Sequence, residues 1–160
     1  MADINSGNHA QLMDGVYRTQ RQFYDLTRKY YLLGRDRALK SMAPTPDQTF
    51  LEIGCGTGRN LALAAELFPG TRLYGFDISM EMLKSAEDKM RKNKIRDRVT
   101  LAQADATNFD ANTLYGVSGF DRILVSYAIS MIPVWEEAIT HAVTQLNPGG
   151  ELHIVDFGQQ

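Results

Sequence analysis

An α/β fold, a doubly wound parallel sheet of strand order 3-2-1-4-5 behind an N-terminal helical arm, is what this sequence predicts. Three observations carry it. After Pro46, short apolar runs alternate with segments of helical periodicity. The first run enters a glycine-rich turn, Gly54-Cys55-Gly56-Thr57-Gly58, and the later runs end at polar residues. Strands alternating with helices imply right-handed crossovers that cover both faces, with ligands beyond the carboxyl ends of the strands where strand order reverses.

The elements follow in order. Thr49–Ile53 is the first strand, and Arg59–Phe68 a helix with Leu61, Ala64, Ala65 and Phe68 inward. Leu73–Phe76 is the second strand. Ser79 then caps a helix reaching Arg91, with Met82, Leu83, Ala86 and Met90 on one side. Val99–Ala102 is the third strand, and Phe109–Gly119 reads as a loop or weak helix. Ile123–Ser126 is the fourth strand and Val134–Leu146 a helix. Gly150–Val155 is the fifth strand, after the turn Asn147-Pro148-Gly149-Gly150.

Upstream, the first eight residues read as a loose tail, and no proline interrupts His9–Met42. Tyr17, Tyr24 and Tyr31 recur every seven residues, near one face of a helix that Met13, Val16, Phe23, Thr27 and Tyr30 widen. Gly34 breaks or ends that helix, and Pro44 and Pro46 end the segment. The expected organisation is an arm, 1–46, on an α/β body, 47–160, forming one domain.

Composition bounds the function. With 160 residues, 44% hydrophobic and 22% charged, the chain suits one globular core. No apolar run approaches the roughly 18 residues of a membrane span, and the N-terminus lacks a signal peptide's apolar region. The single Cys55 fits a reducing cytoplasm, and the three histidines show no metal-ligand spacing, so no metal is expected. A net charge of −2 argues against nucleic acid as a general partner. The charge is uneven, however: residues 1–42 hold seven basic groups against four acids, and the remainder holds ten against fifteen. Such an arm either contacts an anionic membrane at its cytoplasmic face or simply presents a solvated helix surface.

Four strand ends carry candidate chemistry. In Leu51-Glu52-Ile53-Gly54-Cys55-Gly56-Thr57-Gly58-Arg59-Asn60 the glycines alternate as G-x-G-x-G, whereas the dinucleotide fingerprint is G-x-G-x-x-G. Glycine lets ligand atoms lie directly on backbone there. Asp77, ending the second strand, can accept both hydroxyls of a ribose, or can cap the next helix. Asp105, after the third strand, suits an adenine amino group with Ala106 offering its N–H, or is an ordinary turn aspartate. Tyr127, after Ser126 at the end of the fourth strand, either lines an acceptor site or packs. Asp156 is a further candidate for the acceptor pocket. Cys55 has no histidine placed to activate it, and His141 and His153 read as structural.

These motifs resemble those of class I S-adenosylmethionine-dependent methyltransferases, whose fold is Rossmann-like. The resemblance implies S-adenosylmethionine as cofactor, bordered by Glu52, Gly54, Cys55, Gly56, Gly58, Asn60, Asp77, Ile78, Met82, Asp105, Ala106 and Ser126. Ser126-Tyr127-Ala128-Ile129 departs from the Asn/Asp-Pro-Pro-aromatic motif of DNA amino-methyltransferases, which argues against a nucleobase acceptor. Tyr24-Asp25-Leu26-Thr27-Arg28-Lys29-Tyr30-Tyr31-Leu32-Leu33-Gly34-Arg35-Asp36-Arg37 is similar to the arm of the bacterial betaine-lipid N-methyltransferase family. That similarity implies methylation of the amine of a diacylglyceryl-homoserine headgroup, with Tyr24, Tyr31 and Tyr127 positioning the acceptor. Weaker similarity links the Tyr24-Asp25 region to quinone C-methyltransferases and phosphatidylethanolamine N-methyltransferases.

The tyrosine stripe then forms an acceptor lid or merely buries the arm. The class normally continues past strand five into another helix and an antiparallel strand pair, whereas this sequence stops at Gln160. A truncated form, or a homodimer covering the apolar edge of strand five, is the expectation. The rival readings are a small-molecule or quinone methyltransferase, a cofactor-binding module without catalysis, and an NAD-dependent oxidoreductase.

Overall fold

Every residue of β1 (Thr49–Ile53) is buried, because this strand lies in the middle of a sheet covered on both faces. The computed structural model describes residues 34–156. Within them α1 (Arg35–Met42) precedes β1, followed by α2 (Arg59–Leu67), β2 (Arg72–Asp77), α3 (Met80–Lys92) and β3 (Val99–Gln103). The chain continues through α4 (Ala111–Tyr115), β4 (Phe120–Ser126), α5 (Trp135–Thr144) and β5 (Leu146–Val155), with short 3-10 turns at Arg96–Arg98 and Ile129–Met131.

The strands lie in the order β3-β2-β1-β4-β5, and all four pairings are parallel. This is the expected doubly wound arrangement, with its switch point between β1 and β4. Alternation along the central strands divides the apolar side chains between two cores. Phe50, Leu73 and Leu124 join Leu39, Met42, Leu61 and Met90 on the face covered by α1, α2 and α3. Leu51, Ile53, Tyr74, Phe76, Ile123 and Val125 join Phe109, Phe120 and Ala142 on the other.

Local chemistry fixes the helix ends. Ser79 Oγ accepts from Met82 N at 3.3 Å and starts α3, while Asp110 Oδ1 accepts from Thr113 N at 2.7 Å and starts α4. The Phe109–Gly119 segment is therefore a capped short helix, ended by Gly116 in the left-handed region.

Two strands begin earlier than apolar runs suggest. β4 starts at Phe120, three residues before Ile123, because its polar residues are satisfied across the sheet. Asp121 Oδ2 accepts from the Thr49 backbone N–H (2.8 Å) and hydroxyl (2.9 Å), and Oδ1 accepts from Asn147 Nδ2 (3.1 Å). Arg122 Nε donates to Met42 O at 2.9 Å. β5 starts at Leu146 opposite Phe120, and the Asn147–Gly150 turn is a bulge inside it before the ladder resumes at Glu151 opposite Arg122.

Burial pushes the Asp121 carboxyl up, but its hydrogen bonds from Thr49 and Asn147 and the charge of Arg122 outweigh that and leave it below its ordinary value. A carboxyl depressed on folding stabilises above its unfolded pKa of about 3.9, and that contribution is lost as pH falls through the folded pKa. We predict that Asp121→Asn melts below the wild type at pH 7, and that the gap narrows as pH falls below about 4. Melting curves from pH 7 downward check this; a gap constant to pH 2 would refute the assignment.

The described part of the arm belongs to the body. Leu39 and Met42, at 0% and 2% exposure, sit in the first core. Arg35 is also buried, which removes it from the basic face of residues 1–42, whether that face was to meet a membrane or solvent. Tyr17, Tyr24 and Tyr31 lie outside the described residues. Among the described residues β3 and β5 are the edge strands, and Ile154 on β5 is exposed, as are Met131, Val134 and Trp135. Among the described residues no helix is long and apolar enough to cross a membrane.

Candidate functional site

The glycine turn fills the switch point. Gly54, Gly56 and Gly58 have φ of +67°, +54° and +74°, conformations that side chains disfavour. A Cβ on Gly54 would lie 2.8 Å from the Cβ of Ala128, so the turn and the loop after β4 touch without room for a methyl group. Cys55 N donates to Phe76 O and Gly58 N to Cys55 O, each at 2.9 Å, which closes the turn over β2.

Cys55 itself points inward. It occupies the space above Gly75, where an added Cβ would meet Leu61 Cδ1 at 2.6 Å and Cys55 Cβ at 3.1 Å. Burial, then the charges of Glu52 and Asp77, push the thiol well above its ordinary value, so it stays protonated. The side chain fills space, and only the backbone of Cys55 remains for a ligand.

Asp77 ties the turn to β2. Its Oδ2 accepts from Gly56 N and its Oδ1 from Ser79 N, both at 2.9 Å. Each carboxylate oxygen has further lone-pair capacity, so the same group can take ribose hydroxyls while holding the turn. Beside it, Ile78 is half-buried and its carbonyl accepts from Gln103 Nε2 at 2.9 Å. Met82 is buried on the first turn of α3.

Asp105 is exposed, and its Oδ1 accepts from both the N–H (2.8 Å) and hydroxyl (2.7 Å) of Thr107. This geometry is that of a turn aspartate. Ala106 is half-buried and packs against the second core.

Under the turn, Glu52 is fully buried and its Oε1 accepts from Asn60 Nδ2 at 2.7 Å. Among the described residues, Asn60 Oδ1 and Ser126 Oγ are buried without a hydrogen-bond partner. Both sit where the turn and β4 end, and buried polar atoms of this kind call for a ligand or water.

Tyr127 adopts φ +53°, a left-handed conformation rare for a bulky residue and costing about 1–3 kcal/mol. Its N–H donates to Val155 O at 2.7 Å, and Asp156 Oδ2 accepts from Ser130 N at 3.0 Å, so the end of β5 holds the loop in this shape. Asp156 therefore braces the loop after β4. His141 packs edge-on against Phe109, with ring centroids 5.0 Å apart, and His153 pairs with Glu151 at 2.8 Å. Both are structural in this arrangement.

The structure thus places Gly54, Gly56, Gly58, Asn60, Asp77 and Ser126 at or just after the carboxyl ends of β1, β2 and β4, with Tyr127 directly after Ser126. Sequence reasoning missed Arg35, which shares the i, i+4, i+7 face of α1 with Leu39 and Met42 and is buried with them. That spacing was the available signal.

A glycine turn at the switch point, followed by an acidic residue ending β2, defines a nucleoside-binding doubly wound protein. Residues 51–152 match the family described as methyltransferase domain, and the chain belongs to that family, with S-adenosylmethionine as its cofactor. The demethylmenaquinone methyltransferase of Desulfitobacterium hafniense is 23% identical, covering 99% of this chain and 64% of that protein. The Lactiplantibacillus plantarum protein of the same name is 28% identical, covering 92% and 63%. The chain therefore spans less than two thirds of these curated relatives.

Among solved structures, the cyclase SpnF superposes with a TM-score of 0.72 at 20% identity, covering 91% of this chain and 59% of that one, a likeness of fold. Phosphoethanolamine N-methyltransferase 2 of Haemonchus contortus, in complex with S-adenosyl-L-methionine, has a TM-score of 0.62 and 31% identity. The match covers 74% of this chain and 26% of that one.

Proposed function

We propose that this chain provides the cofactor site for S-adenosylmethionine-dependent methyl transfer to a small-molecule acceptor of the quinone type. The observation that carries the acceptor class is its similarity, along 92–99% of its length, to two proteins named as demethylmenaquinone methyltransferases. The buried Asn60 Oδ1 and Ser126 Oγ, and the Asp77 carboxylate at the end of β2, fit a cofactor laid across the switch point.

The cofactor supplies a methyl group already activated by its sulfonium. The protein's own contribution is to hold and exclude. The glycine backbone borders the methionine part, Asp77 accepts the ribose hydroxyls, and Asp105 with Ala106 borders the adenine. Ser126 borders the cofactor, and Tyr127 faces the acceptor. Alignment of nucleophile and methyl group is the main catalytic demand in such a site.

A second reading, methylation of the amine of a diacylglyceryl-homoserine headgroup, is favoured by the 31% identity with the phosphoethanolamine N-methyltransferase. Either acceptor is lipid-soluble, and we propose that the part of residues 1–42 ahead of the buried α1 is the segment that meets the membrane. The test is incubation of the purified protein with methyl-labelled cofactor and vesicles carrying either demethylmenaquinone or the homoserine lipid. Label in the quinone supports the first reading and label in the lipid amine the second. Cofactor binding with label in neither would reduce the chain to a binding module, and NAD binding in place of S-adenosylhomocysteine would refute both.

A further inference from the structure

We infer that Arg35 is an anion-binding residue of the cofactor crevice, its guanidinium taking the carboxylate of the methionine part. The inference rests on the S-adenosylmethionine reading above. Arg35 is 6% exposed, and among the described residues its Nε is buried without a hydrogen-bond acceptor. Its ionic neighbour, Asp36 Oδ1, lies 3.7 Å from Nε, beyond good hydrogen-bond reach. That carboxylate is already engaged by Arg59, whose Nη1 and Nη2 donate to Oδ1 and Oδ2 at 2.9 and 3.4 Å.

The place of this charge is as informative as its unbonded Nε. Arg59 follows Gly58 directly, so the Asp36–Arg59 pair pins the start of α1 beside the glycine turn. The other end of α1 is anchored at the opposite edge of the sheet, where Arg122 holds Met42 O at the start of β4. Arg35 therefore stands at the ligand edge. A buried guanidinium there, with five donors in a planar fork, matches a carboxylate. The 3.7 Å ion pair with Asp36, a carboxylate shared with Arg59, compensates that charge only in part and leaves the buried Nε donor to be completed by a ligand.

The experiment compares the wild type with Arg35→Met and Arg35→Lys. Each is titrated with S-adenosylhomocysteine and with 5′-methylthioadenosine, which lacks the amino-acid carboxylate, and each is melted without ligand. Arg35→Met is expected to lose about ten- to hundredfold in affinity for S-adenosylhomocysteine, with 5′-methylthioadenosine unaffected. Its ligand-free melting temperature should equal or exceed that of the wild type, because an apolar stem replaces a buried and incompletely paired charge. Arg35→Lys keeps the charge without the fork and should fall between.

Equal losses for both ligands, no loss for S-adenosylhomocysteine, or a lower ligand-free melting temperature in Arg35→Met would overturn the assignment. No loss is also the result expected if the guanidinium serves an acceptor's carboxylate instead. A wild type that binds both ligands equally tightly defeats the Arg35 assignment alone. A wild type that binds neither defeats the methyltransferase reading with it.

Discussion

Replacing Asp77 by alanine should weaken binding of S-adenosylhomocysteine about ten- to hundredfold, the loss expected of charge-assisted hydrogen bonds worth about 1.5–3 kcal/mol. Two effects act in the same direction. The ribose loses its acceptor, and the turn loses the tie from Gly56 N to Asp77 Oδ2 that holds it against β2. Asp77→Asn separates them. Its amide oxygen can still accept one backbone N–H, but the negative charge is gone and the amide nitrogen can only donate. A variant that stays folded by circular dichroism and binds the nucleoside as tightly as the wild type would remove Asp77 from the site.

The largest expected loss of stability follows deletion of a core ring. Phe120 is 0% exposed and meets Tyr74 and Tyr115 in edge-on contacts, at centroid distances of 5.8 and 6.1 Å. Tyr115 is itself held there by its hydroxyl donating to Gly75 O at 2.9 Å, so the neighbours cannot easily collapse into the space. Phe120→Ala should therefore cost about 3–5 kcal/mol. Urea unfolding would show this as a lower midpoint with an unchanged slope. A cost below about 1 kcal/mol would mean that the aromatic cluster does not constrain the start of β4.

Strand order was legible from residues alone, because short buried parallel strands bounded by helical periodicity leave few topologies. Strand beginnings were not. Asp121 and Arg122 look like loop residues until Thr49, Asn147 and Met42 supply their partners from 70 or more residues away, or across the bulge of β5. The crevice was partly legible. The glycines and Asp77 announce themselves by spacing, whereas the strain at Tyr127 is a backbone property that no residue type encodes. Arg35 was counted among the basic groups of an arm read as either membrane-contacting or solvated, since charge counting takes no account of the helical face a residue shares with Leu39 and Met42.

The pairing of β1 with β4 also sets a schedule. Thr49 and Asp121 are 72 positions apart, and Ile53 finds Val125 only across the same interval. Ordering so long a loop costs entropy before its contacts repay it, so such pairings form late in folding. On the ribosome β1, α2 and β2 emerge together and can associate at once, leaving one side of β1 without a neighbour. At about 5–20 residues per second, several seconds pass before β4 is made. During that interval an apolar strand with an open edge is exposed to other nascent chains, so slowed translation between residues 54 and 120 should increase aggregation more than the same delay placed after β4.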